Sequence, residues 1–71
     1  MTADAYDALM IRHAASRGPV LVRKAPTQVV AARLLGWSAS GHHAGTARVE
    51  FPTGRQARVK HAAVMLPEVD A

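Results

Sequence analysis

The sequence predicts a mainly β fold in which one N-terminal α-helix precedes a small sheet of four to five strands. Apolar residues repeat at helical spacing within the first 16 positions, which favours a helix there. Further along, alternating or β-branched stretches are separated by glycine and proline, as between strands. At 71 residues the chain forms one domain at most. We expect a helical segment over 1–18, a β domain over 19–68 and a short tail over 69–71.

The first element is a helix over residues 3–16. Thr2 or Asp4 can cap its N-terminus. The apolar positions recur at i, i+3, i+4 and i+7, at Tyr6, Leu9, Met10 and His13. Gly18 and Pro19 are expected to end the helix. A first strand then follows over 19–24, PVLVRK, because of its β-branched content.

The segment TQVVAARLLGWS, residues 27–38, is compatible with two structures. As a strand it turns Val30, Ala32 and Leu34 inward, and it joins its neighbours in a meander. As a helix it resembles the first half of a helix-turn-helix, with polar, small, glycine and capping residues at Gln28, Ala32, Gly36 and Ser38. The recognition helix would then have to be SASGHHAG, which contains two glycines. We prefer the strand and retain a winged or truncated helix-turn-helix as the alternative.

A hairpin over residues 46–61 is the best-defined element. Directly opposed residues must share a face, so the alternation requires Val49 opposite Ala57 and Ala47 opposite Val59. Pro52-Thr53-Gly54 then forms a three-residue loop with Gly54 in the left-handed conformation. The same register places Arg48 opposite Arg58, Thr46 opposite Lys60, and Glu50 opposite Gln56. A turn at HAAVML leads to a last edge strand near residue 66.

This order of elements resembles an SH3-like small β-barrel of the Tudor or KOW kind, over residues 19–68. The phrase VEFPTGRQARV…VMLP looks like the later hairpin, turn and closing strand of such barrels. VRK at 22–24 and LLGWS at 34–38 are similar to a strand pair of plasmid type II dihydrofolate reductases. Their Val-Gln-Ile-Tyr active-site signature is replaced here by ARVKH at 57–61. The resemblance implies the barrel fold and self-association, without reductase activity.

Charge points to a polyanionic partner. The formal net charge is +4, and between Ala8 and Pro67 all nine basic residues of the chain accompany a single acid, Glu50. So basic a body in so small a protein favours nucleic acid, DNA or RNA, bound through phosphate contacts. The residues expected to make these contacts are Arg23, Lys24, Arg33, Arg48, Arg55, Arg58 and Lys60. Trp37 is a candidate platform for a base or a partner side chain, or else a plug at the end of the barrel. With three aromatic residues in all, duplex backbone or structured RNA is a better partner than an extended single strand.

The sequence favours no enzymatic activity. Glu50 is the only carboxylate in the body of the chain, and the hydroxyl residues lack a paired histidine and acid. Without cysteine or spaced acidic ligands we expect no metal and no cofactor. No apolar run is long enough to span a membrane, so we expect a soluble, cytoplasmic protein.

The sequence is compatible with two functions. The first is a small basic nucleic-acid-binding protein, an accessory or regulatory factor of a bacterium, plasmid or phage, that uses the outward face of the hairpin. The second is a protein-interaction or assembly module, a homo-oligomer or a partner-binding domain, that uses the apolar stripe of the helix and Trp37.

Overall fold

The computed structural model describes residues 3–67 and confirms a mainly β fold with one N-terminal helix. The elements are α1 Ala3–Ala15, β1 Pro19–Ala25, β2 Gln28–Ser38, β3 Thr46–Glu50, β4 Gln56–Lys60, a 3-10 turn His61–Ala63, and β5 Val64–Met65. The helical alternative for residues 28–36 is wrong, because they lie in β2, which pairs with β1 along its first half and with β3 along its second half. The predicted cap at Thr2 and the tail over 69–71 lie outside the described residues.

The five strands form one antiparallel sheet in the order β4-β3-β2-β1-β5. The first four follow one another as a meander, and β5 crosses back to pair with β1. Within residues 3–67 no ladder joins β4 to β5, so the sheet is open and these two strands are its edges. β5 is two residues long, which leaves β4 as the longer edge.

The core lies on the inner face of the sheet, where α1 supplies Met10 and Ala14. The helix packs mainly against β2. Met10, Leu34 and Val49 are fully buried. The fully and nearly fully buried strand residues are Val20, Val22, Ala32, Leu34, Trp37, Ala47, Val49 and Val64. The half-buried positions Tyr6, Leu9 and His13 confirm that the predicted stripe faces the sheet.

An irregularity in β2 determines where Trp37 lies. The pairing with β3 passes from Leu34 opposite Val49 to Gly36 opposite Arg48, so Leu35 is an extra residue, as in a β-bulge. Strict alternation would turn Trp37 outward together with Arg33. The extra residue reverses the phase, and Trp37 therefore points inward with Leu34.

The helix ends one residue earlier than the glycine suggests. Arg17 adopts the left-handed conformation, with φ of 52°. The amides of Arg17 and Gly18 donate to the carbonyls of Ala14 and His13, at 3.0 and 2.9 Å, in a Schellman arrangement. Gly18 is needed for a different reason: the imidazole of His13 lies over it, and a Cβ there would collide with the ring.

The hairpin has the predicted register at every position, with Arg48 opposite Arg58 and Thr46 opposite Lys60. The Gly54 amide donates to the Phe51 carbonyl at 2.8 Å, which closes the turn over Pro52 and Thr53. Gly54 has a φ of 88°, the left-handed conformation expected at the last loop position.

Candidate functional site

The outward surface of β3 and β4, which we call the hairpin face, consists of Thr46, Arg48, Glu50, Gln56, Arg58 and Lys60. The side chains of Arg48, Arg58 and Lys60 are exposed, while their neighbours at 47 and 49 point into the core. Three of the seven predicted phosphate-contacting residues are thus brought onto one surface. Period-two alternation and the glycine turn position them there.

The opposed arginines lean in opposite directions along the hairpin. Arg48 donates from Nη2 to Oε1 of Gln56 at 2.8 Å, toward the loop. Arg58 donates from Nη1 to Oγ1 of Thr46 at 3.4 Å, away from the loop. Both acceptors are uncharged, so these contacts separate the two guanidinium groups without neutralising them. Like charges directly across a ladder are thereby tolerated.

The end of α1 brings a further arginine to this surface. A polar concavity of about 400 Å³ is lined by Arg17 from the helix end and by Arg48, Glu50 and Gln56 from the hairpin face. Arg17 was not among the predicted contacts, because its proximity depends on how the helix packs. Glu50, the only acid of the hairpin face, is half-buried and is paired across the ladders with Arg33 and Gln56.

Among the other predicted basic residues, Arg33 on β2 lies directly opposite Glu50 and so shares the outward side of the sheet with the hairpin face. It donates from Nη1 to the Arg17 carbonyl at 3.1 Å, beside the helix end. Arg23 donates to the carbonyl of Pro26 at 2.7 Å, at the turn between β1 and β2. The Nζ of Lys24 lies 5.0 Å from the centroid of the Phe51 ring, within cation–π distance. The seven residues therefore do not form a single cluster: Arg33 adjoins the hairpin face, whereas Arg23 and Lys24 lie on β1.

Arg23, Lys24 and Arg55 border a groove of about 510 Å³ between β1 and β4, which we call the edge groove. Its apolar lining consists of Val22, Phe51, Ala57 and Val59. Ala57 and Val59 are half-buried, whereas Ala47 and Val49 on the neighbouring strand are 1% and 0% exposed. The inner face of β4 is thus less completely covered than that of β3.

Trp37 is a core residue, with 8% of its surface exposed. His61 stacks on the indole with ring centroids 3.6 Å apart and planes 8° apart, and Tyr6 meets it edge-on at 5.8 Å. The indole N–H donates to Oδ1 of Asp7 at 2.9 Å. His61 is itself held by contacts to the Thr46 carbonyl and from its amide to the Gly45 carbonyl. This geometry agrees with the plug and leaves no free indole face for a base.

Over residues 3–67 no three His, Cys, Asp or Glu side chains are grouped as metal ligands would be. Within the same range no helix is long and apolar enough to cross a membrane. Comparison of the chain with protein-family models, with curated proteins and with solved structures gave no match.

Proposed function

We propose that this protein is a small basic nucleic-acid-binding protein that contacts phosphate groups through the hairpin face. The observation that carries the proposal is the exposure of Arg48, Arg58 and Lys60 on one two-stranded surface. Within residues 3–67 the side chains of the two arginines donate to uncharged acceptors only. A phosphate would supply the negative charge that these acceptors lack.

The side chains of the hairpin face favour one structural class of nucleic acid over another. None of its six residues is aromatic, and Trp37 is covered by His61. Binding would therefore depend on phosphate contacts and not on base stacking, which favours a duplex or structured RNA over an extended single strand.

We further propose that the domain is an SH3-like small barrel. The strand order, in which β5 returns to β1 after a 3-10 turn, supports this assignment. The alternative function, an assembly module that uses the helix stripe and Trp37, needs those side chains at the surface. Met10 is fully buried and Trp37 nearly so, and both hold α1 against the sheet, so no specific observation favours that module.

The test is a fluorescence anisotropy titration of labelled duplex DNA, single-stranded DNA and RNA with Arg48→Ala/Arg58→Ala at several salt concentrations. We expect weaker binding to every sequence, and a slope of log K against log salt that is shallower by about 2, for two lost phosphate contacts. Arg12→Ala/Arg23→Ala removes the same charge outside the hairpin face and serves as the control. Equal losses in both variants would overturn the site assignment, and no binding of the wild type at low salt would overturn the function.

A further inference from the structure

The main chain of β4 has a free edge. Phe51 donates to the Arg55 carbonyl at 2.8 Å, and His61 donates to the Gly45 carbonyl at 2.9 Å, so hydrogen-bonded pairs recur at every second position of this ladder. The pairs of Ala57 and Val59 belong to that set. The amides and carbonyls of the intervening Gln56, Arg58 and Lys60 therefore point away from β3. Within residues 3–67 no strand pairs with this side of β4.

The edge groove lies directly under this free edge. Its lining residues Val22, Ala57 and Val59 belong to the inner face of the sheet, and Ala57 and Val59 are only half-buried. A strand placed alongside β4 would direct every second side chain into the groove. Its other side chains would lie beside Arg58 and Lys60, with Arg23, Lys24 and Arg55 at the border.

We propose that β4 accepts an antiparallel strand from a partner protein, and that the partner segment alternates apolar and acidic residues. The apolar residues would fill the edge groove and the acidic ones would pair with the basic residues that flank it. This interaction does not depend on nucleic-acid binding, although Arg58 and Lys60 would take part in both.

The positive charges on β4 favour an acidic partner strand over a second copy of this chain. Pairing β4 with β4 of another molecule would bring the Arg58 and Lys60 side chains of both copies into one cross-strand cluster, which is unfavourable. Nucleic acid fits the free edge less well, because phosphates cannot complete a main-chain ladder or fill an apolar groove.

The test uses the full chain and a labelled seven-residue peptide that alternates glutamate and valine. In antiparallel pairing the peptide residue opposite Arg58 lies on the same face of the sheet as Arg58, so it is a glutamate. The main-chain amide and carbonyl of Arg58 point toward the peptide and bond to that glutamate, so the glutamate amides must point at β4. N-methylation of the glutamate amides should weaken binding at least about tenfold, whereas N-methylation of the valine amides should change it little. A lysine–valine peptide should also bind at least about tenfold more weakly.

Amide chemical shifts in NMR spectra should change at Gln56, Arg58 and Lys60. Arg58→Gln should weaken binding of the peptide, and Arg12→Gln, which removes the same charge from α1, should not. The proposal is overturned if the two methylated peptides bind equally, if the lysine–valine peptide binds as well as the glutamate–valine peptide, or if no peptide binds at millimolar concentration. None of these results depends on whether nucleic acid binds.

Discussion

Substitution of Gly18 by alanine should destabilise the protein when His13 is present, but should be neutral or stabilising when His13 is also replaced by alanine. A Cβ at position 18 would lie 2.6 Å from Nδ1 of His13 and even closer to two other ring atoms. The imidazole would have to move and give up its 2.7 Å contact with the Pro19 carbonyl. Overpacking typically costs 1–3 kcal/mol and a lost hydrogen bond about 1 kcal/mol.

Part of this cost is offset, because Gly18 does not have a positive φ and alanine reduces the entropy of the unfolded chain by about 0.4–1 kcal/mol. We therefore expect Gly18→Ala to lower the free energy of unfolding by about 1–3 kcal/mol. In a His13→Ala background the collision is absent. There the same change should be neutral or stabilising by up to about 1 kcal/mol.

Urea unfolding of the wild type, the two single variants and the double variant measures this coupling, with Trp37 as the only tryptophan reporter. The m-values should agree among the four proteins. A Gly18→Ala effect of the same sign and size in both backgrounds would refute the reasoning, since His13 would not then be the group that excludes a side chain at position 18.

Two further predictions concern the helix end and the hairpin face. Arg17→Gly should raise the free energy of unfolding by about 0.5–1 kcal/mol, because Arg17 has a φ of 52° that glycine adopts without strain; Arg17→Ala, which removes the charge but keeps a Cβ, should give no such gain in the same urea experiment. Glu50→Gln should strengthen binding of duplex DNA about fivefold at low salt, because it removes the carboxylate that would repel a phosphate at the hairpin face. Unchanged or weaker binding in the anisotropy titration would count against this face.

The hairpin was predictable from sequence because only one register satisfies both the alternation and the turn. Ala47, Val49, Ala57 and Val59 define its inner face, and Gly54 allows the left-handed loop position. Each of these constraints is local and contained in some fifteen consecutive residues. Strand and turn therefore lead to the same pairing, and the structure has it at every position.

The position of Trp37 and the residue at which the helix ends were harder to predict from the sequence. A bulge at Leu35 reverses the alternation of β2, and Gly36 beside it is only a weak indication of a bulge. At the helix end, the sequence suggests glycine for the left-handed residue. In the structure the glycine is instead the residue over which the His13 ring packs, where a Cβ would not fit. The left-handed residue is Arg17.

The candidate site was only partly predictable, because charge can be counted from sequence whereas its distribution over surfaces depends on sheet topology. Arg48, Arg58 and Lys60 share a face by alternation alone. Arg23, Lys24 and Arg55 meet at the edge groove only because β1 and β4 approach each other across the open side of the sheet. Such long-range proximity leaves no periodic pattern in the chain.

The orientation of the two opposed arginines, Arg48 and Arg58, depends on the hydrogen bonds that their guanidinium groups donate as well as on their charge. A guanidinium carries five N–H donors, and the contacts with Gln56 and Thr46 account for one donor on Arg48 and one on Arg58. Those two contacts incline the side chains in opposite directions along the hairpin and reduce their mutual repulsion. The remaining donors lie on exposed side chains. We infer that Gln56 and Thr46 orient the two arginines, and that phosphate recognition would depend on the donors these contacts leave available.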